Sequence, residues 1–110
     1  MTCTQTLNHI IGSAFSESLS STESPITEGG LPLANTSGWV VALELVRDGA
    51  ATLVVVGSWL SSVAPTWTML FAQATTANWQ PGAYALRLKF TAPDARVFRQ
   101  TLAVELIVTR

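Results

Sequence analysis

The C-terminal stretch WQPGAYALRLKFTAPDARVFRQTLAVELIVTR (residues 79–110) decides the fold class. Apolar and polar residues alternate in two runs on either side of the polar turn APDA, and this period of two is typical of half-buried strands. A Pro-Gly turn at Pro81 and Gly82 precedes the first run. The stretch therefore predicts a β-hairpin with one apolar face. The residues predicted to face inward are Tyr84, Leu86, Leu88, Phe90, Leu102, Val104, Leu106 and Val108.

Upstream, the stretch WVVALELVRDGAATLVVVGSWL (residues 39–60) predicts a second hairpin, which turns at Asp48-Gly49 because glycine accepts a positive φ without steric penalty. Another strand is predicted from Trp67 to Gln73. About six to eight strands with turn signals at intervals near 8 to 12 residues favour an all-β fold, an antiparallel Ig-like sandwich. The predicted core includes Trp39, Leu43, Tyr84, Leu86, Leu88, Val104 and Leu106.

The region before this pattern, residues 1–37, is rich in Ser and Thr and has little periodicity. It is predicted to be an N-terminal arm with one or two short strands, while residues 38–110 form the β-sandwich body of a single domain. A strand is expected around Ala14 to Leu19. The segment from Leu7 to Ile11 fits either a strand or a docking segment.

The composition indicates that part of the surface is covered by neighbouring chains. Of the 110 residues 48% are hydrophobic and only 12% are charged, whereas about 25% is usual for charged residues. A Ser/Thr-coated monomer is the alternative. The net charge of -1 provides no basic field for phosphates, so no nucleic acid partner is expected. The acidic residues Glu17, Glu23, Glu28 and Glu44 precede all six basic residues. Head-to-tail docking of identical subunits and a chance distribution of so few charges are equal explanations of this order.

No set of residues in the chain is suited to catalysis, and no enzyme, metal or cofactor is predicted. His9 is the only histidine and Cys3 the only cysteine, so His-based metal cages, catalytic triads and internal disulfides are excluded. Asp48 and Asp94 lie in predicted turns, where their side chains bond nearby amides. The N-terminus has no basic residue before its short apolar patch, and no apolar run approaches the length of a membrane helix, so a protein made in a reducing cytoplasm without membrane contact is expected.

Trp39, Trp59, Trp67 and Tyr84 have two possible roles. Flat aromatic faces suit the stacking of sugars, but Trp39 and Tyr84 share the parity of their strands' aliphatic residues. The parity favours core positions over a carbohydrate platform.

Apolar residues also occur at positions predicted to face outward, where a solvated strand would carry Lys, Glu or Thr. These are Val40, Val54, Val56 and Ile107. They predict an assembly interface and a homo-oligomer.

The hairpin residues also carry a resemblance to a known group of proteins. The residues that carry it are Trp79, Gly82, Tyr84, Leu86, Leu88, Val104, Leu106, Val108, Thr109 and Arg110. In this layout the chain resembles small Ig-like virion proteins of tailed bacteriophages, many of which end in a similar hairpin finishing Val-Thr-Arg. The resemblance implies a non-enzymatic virion structural protein, made in the host cytoplasm, that acts as a tail, baseplate or fibre-attachment adaptor and contacts other virion proteins. Capsid decoration and host-surface carbohydrate binding are the alternatives.

Overall fold

Nine strands and their connecting loops make up the part of the chain that the structure describes, a computed structural model of residues 5–110. No helix occurs in these residues, so the predicted all-β class is confirmed. The strands are β1 (Gln5–Ile10), β2 (Phe15–Ser21), β3 (Thr27–Glu28), β4 (Leu31–Pro32), β5 (Val40–Arg47), β6 (Ala50–Ser61), β7 (Trp67–Gln73), β8 (Gly82–Thr91) and β9 (Val97–Thr109).

Seven of the strands form one sheet in the order β1-β9-β8-β5-β6-β7-β2, and β3 and β4 form a separate small hairpin. The sheet is mixed because β1 runs parallel to β9, whereas all other pairs in it are antiparallel. It curls into a nearly closed, barrel-like shape rather than a clear sandwich. The expected antiparallel sandwich is therefore corrected to a mixed, barrel-like sheet.

The strand β6 explains why the sheet is continuous. Its first part, residues 50–56, pairs with β5, and its second part, residues 57–61, pairs with β7. Gly57 stands at the crossing, where an added Cβ atom would lie 2.5 Å from the Phe71 ring and 3.1 Å from Val41. Only a residue without a side chain lets β6 approach Phe71 this closely, and a β-carbon contact under 3 Å would force the core to shift.

The two predicted hairpin turns are confirmed by the backbone. Asp48 and Gly49 have φ values of 54° and 79°, the pair of positive angles that a two-residue type I′ turn requires. At the other hairpin Ala95 has a φ of 74°, and its amide donates to the carbonyl of Ala92 at 2.9 Å. Asp94 accepts a hydrogen bond from the side chain of Arg96 in the same turn.

The interior of the curled sheet holds the hydrophobic core. Burial confirms six of the seven predicted core residues, namely Trp39, Leu43, Tyr84, Leu86, Leu88 and Leu106. Val104 is only half-buried and packs against the core from the side, because it lies near the cleft between β2 and β9. The Tyr84 hydroxyl donates to the backbone carbonyl of Gln80 at 2.7 Å, which fixes the start of β8 to the loop before it.

Residues 5–37, predicted to be an arm, contribute both edge strands of the large sheet. β1 bonds to the second half of β9, from Val104 to Thr109, and β2 bonds along its whole length to β7. The described part of this region is thus held by hydrogen bonds within its own chain. Among the described residues no strand pairing joins β1 to β2, so the barrel remains open between them.

Candidate functional site

The outer face of the four strands β6, β5, β8 and β9 carries the largest set of chemically distinctive side chains. Strand register places them in two neighbouring rows across the sheet. One row holds Val56, Ala42, Lys89 and Arg99, and the next holds Val54, Glu44, Arg87 and Thr101. The apolar residues lie towards β6 and the basic residues towards β9.

A buried carboxylate organises the basic part of this face. Oε1 of Glu44 accepts hydrogen bonds from Nε of Arg87 at 2.8 Å and from Nε of Arg99 at 3.1 Å. The Glu44 side chain is 5% exposed, whereas those of Arg87 and Arg99 are 27% and 47% exposed. The two arginine side chains therefore cover the carboxylate while remaining partly open to solvent themselves. Burial of Glu44 at an outward position is explained by this double ion pair.

Three of the four residues predicted as an assembly interface lie close together and are open to solvent. Val40, Val54 and Val56 are 55%, 49% and 69% exposed. Val56 stands opposite Ala42 on β5, two residues along that strand from Val40. We call Val40, Val54 and Val56 the valine patch. Its use as an interface stays a prediction.

Ile107 does not belong to this patch. It is half-buried on β9, opposite Ala83 of β8 and Asn8 of β1. Three strand spacings separate β9 from β6, which amounts to about 14 Å across the sheet. The sequence parity that grouped Ile107 with the valines was correct for the face of the sheet, but it carried no information on position within that face.

A cleft runs between β2 and the first half of β9, on a different side of the molecule. It consists of two adjoining cavities of about 170 Å³ and about 220 Å³, which share Leu19, Ser20 and Leu102. The walls of the first cavity are mainly apolar and include Glu17, whereas those of the second are about equally polar and apolar and include Glu23. Neither carboxylate has an ion pair or hydrogen bond to any residue in 5–110. We call this feature the acidic cleft.

His9 belongs to a buried network that ties the β1–β2 loop to the β7–β8 loop. Its Nε2 lies 2.8 Å from the hydroxyl of Thr76, which donates to the carbonyl of Ser13 and accepts from the amide of Gly12. Since the single hydroxyl proton of Thr76 goes to Ser13, Nε2 of His9 must be the donor in their bond. Burial lowers the pKa of His9 below its ordinary value. His9 is thus a packed polar residue whose contacts hold the two loops together.

A second charged group, at the β8–β9 turn, serves the turn itself. Arg96 forms ion pairs with Asp94 and with Glu28 of β3. The hydrogen bond from the Arg96 side chain lowers the pKa of Asp94. These contacts connect the small β3–β4 hairpin to the turn, so we assign them a structural role.

The tryptophans do not form an exposed platform. Trp39, Trp67 and Trp79 are buried, and the half-buried Trp59 stacks on Phe90 at a centroid distance of 6.3 Å. Nε1 of Trp59 donates to the carbonyl of Trp39 at 2.9 Å. Core positions are confirmed for Trp39, Trp67 and Tyr84. This burial weighs against sugar stacking, which needs an open aromatic face.

Residues 5–110 contain no group of three or more His, Cys, Asp or Glu side chains placed to hold a metal ion. No helix in the described residues is long and apolar enough to cross a membrane. Cys3 lies outside the described residues.

Neither a scan of protein-family models nor a search of curated proteins finds a match to this chain. The candidate surfaces therefore rest on their geometry and on the resemblance of the C-terminal hairpin.

Sequence reasoning missed the cluster around Glu44 and the acidic cleft. The available signal was a glutamate at an outward position of β5 together with Arg87, Lys89 and Arg99 at outward positions of β8 and β9. Opposite charges at the same parity indicate a cross-strand ion pair once the register is known. The register depends on turn lengths and a bulge between Ala85 and Arg87, which the sequence pattern does not reveal.

Proposed function

We propose that the protein is a non-enzymatic structural subunit of a tailed-bacteriophage virion, an adaptor of the tail, baseplate or fibre-attachment region that works through protein–protein contacts. The observation that carries this proposal is the valine patch, three exposed valines adjacent on the outer face of a regular sheet. Contiguous apolar residues on an otherwise sparsely charged surface are typical of a surface covered by a partner.

Two local features support an Ig-like relationship, which is the finer part of the proposal, although the sheet as a whole is barrel-like. Tyr84 lies near the start of β8 and bonds back to the carbonyl of Gln80, as in the tyrosine corner of Ig-like domains. Trp39, immediately before the central strand β5, is buried in the core, as the tryptophan of such domains is. Together with the C-terminal hairpin that ends Val108-Thr109-Arg110, these features agree with the small virion proteins that the chain resembles.

A structural role also accounts for the titratable groups better than catalysis does. Glu44, Asp94 and His9 are all engaged in contacts that hold strands or loops together. A catalytic site needs a base, a nucleophile or an acid that can reach a substrate in a pocket. The serines and carboxylates that line the acidic cleft have no histidine, lysine or cysteine beside them in the described lining, so we assign binding rather than catalysis to the cleft.

Particle composition tests the proposal directly. Mass spectrometry of density-purified virions from the phage that encodes this chain should detect it, and cross-linking should identify tail or baseplate neighbours. Cross-links to the capsid instead would support the decoration alternative. Presence in lysed cells combined with absence from purified particles would rule out a virion role.

The interface itself is tested with matched variants. Val54→Gln combined with Val56→Gln removes apolar area without adding charge, and we expect it to reduce incorporation into particles by about tenfold or more. Ile10→Gln is the control, because Ile10 is an exposed apolar residue of β1, which lies four strands from β6, and it should leave incorporation unchanged. Circular dichroism checks that both variants retain the wild-type fold. Equal incorporation of all three proteins would exclude the valine patch as the contact.

A further inference from the structure

We propose that copies of this chain bind one another head to tail, with the basic outer face of one copy against the acidic cleft of the next. This inference rests on the proposed function, since it names the partner that binds the outer face. It is carried by two surfaces of one chain that each combine apolar residues with an excess of charge of one sign. The excess is positive on the outer face and negative in the acidic cleft.

The outer face carries more basic side chains than carboxylates that could neutralise them. Arg87, Lys89 and Arg99 are grouped by register around the single carboxylate of Glu44, an excess of two positive charges. Lys89 forms no ion pair with any residue in 5–110. Glu105 lies on the same face nearer the Asp48 turn and is not ion-paired to this group.

The arginines are also held in a fixed orientation. Because Nε of each is bonded to Glu44, their planar guanidinium groups cannot rotate freely, and their terminal nitrogens form no hydrogen bond to any residue in 5–110. An arginine fixed in this way loses little further entropy when it binds a second carboxylate. The fixed arginines therefore favour the binding of acidic groups to the outer face.

A two-fold contact of the valine patch with itself is disfavoured by these charges. Such an interface brings the same surface of two copies together. Val54 is one strand from Glu44 and two strands from Arg87, so the basic groups of both copies would meet beside the valines. Like charges that face each other across an interface cost binding energy. The partner surface must therefore be apolar and acidic.

The acidic cleft is such a surface. Its walls include Leu19 and Leu102, and the carboxylates of Glu17 and Glu23 have no partner in the described chain. Glu17 shares the inward parity of Phe15 and Leu19 on the edge strand β2. An inward charge on an edge strand discourages pairing with an apolar strand, so the cleft favours a partner that brings positive charge.

The two surfaces cannot satisfy each other within one molecule. The cleft opens between β2 and β9, whereas the basic groups project from the outer face of β8 and β9. A contact between different surfaces of identical chains is heterologous, and it generates a ring if the rotation closes and a filament if it does not. Both are arrangements of repeated subunits.

Two neutralised variants test the inference. Lys89→Gln with Arg99→Gln removes the basic surface, and Glu17→Gln with Glu23→Gln removes the acidic one. By analytical ultracentrifugation the wild type should form oligomers that dissociate as salt is raised. Each variant alone should self-associate at least about tenfold more weakly. An equimolar mixture should recover association but stop at a dimer, because only one intact pair of surfaces remains.

The outcomes separate this inference from the proposed function. Salt-insensitive wild-type oligomers, unchanged self-association of the variants, or a mixture that fails to associate would each overturn head-to-tail docking. A wild type that stays monomeric at millimolar concentration would also overturn it. The salt titration uses only the wild-type protein, so it tests head-to-tail docking even if one of the variants fails to fold. Incorporation into particles is measured separately and decides the proposed function alone.

Discussion

The two halves of β9 have the same alternating pattern of residues but very different surroundings. From Val104 to Thr109 the strand lies between β8 and β1, and Leu106 and Val108 are buried. From Val97 to Leu102 the only strand bonded to it among the described residues is β8, and Phe98 and Gln100 on the inner face are exposed.

The difference shows that alternation determines which way a side chain points, whereas burial requires something to cover it. The second half gains a neighbour in β1, which closes its free edge. The first half faces the cleft, since β2 at the other end of the sheet does not reach it. A strand can therefore be core at one end and part of a binding surface at the other.

We call residues 104–109 of β9 the covered half and residues 97–102 the open half. The largest effect is expected from truncating a buried side chain in the covered half. Leu106→Ala should lower the free energy of unfolding by about 2–5 kcal/mol, because it leaves a cavity in a fully buried position. Leu102→Ala is the matched control in the open half. Its side chain is only partly buried, so we expect it to lower the free energy of unfolding by at most about 50% of the loss from Leu106→Ala. Urea denaturation measures both. Equal losses would contradict the comparison of the two halves.

A smaller effect should follow from removing the charge that anchors the open half. Glu44→Gln keeps the shape but weakens the bonds to Arg87 and Arg99, which should cost about 1 kcal/mol because both arginines remain partly solvated. Glu105→Gln, on the covered half, is the control and should stay within about 0.5 kcal/mol of wild type. Chemical denaturation at low salt compares them. A larger loss from Glu105→Gln would show that Glu44 does not anchor the face.

The smallest effect is expected in the pH dependence of stability. It depends on His9 of β1, which pairs with Val108 in the covered half of β9. Burial lowers the pKa of His9 in the folded protein, so the unfolded chain binds the proton more readily. Stability should therefore fall as the pH drops from the ordinary histidine pKa of about 6.5 towards the lower folded value.

Denaturation midpoints at about pH 7.5 and about pH 5.5 measure this dependence. His9 is the only histidine, so His9→Gln should flatten it while leaving the carboxylate titrations at lower pH unchanged. A wild-type midpoint that rises towards pH 5.5 would show that the buried ring accepts a proton without cost.

Much of the local structure could be predicted because it depends on neighbours in the sequence. The alternation of Tyr84, Leu86 and Leu88 determined the core face of β8, and Asp48-Gly49 determined a two-residue turn. The strand predicted from Trp67 to Gln73 has the observed bounds. These features follow from side-chain parity and from the steric freedom of glycine, both of which act within a few residues.

Only the tertiary structure decided how the strands were joined and which faces were covered. The parallel pairing of β1 with β9 and the crossing at Gly57 involve residues far apart in the chain, so no local pattern reports them. The same is true of Glu44, whose burial depends on arginines from β8 and β9. By itself the sequence determined strands, turns and inward faces through local sterics and alternation. The open cleft, the separation of Ile107 from the valine patch and the grouping of the charges were decided by strand register and sheet curvature, which arise only when distant segments pair.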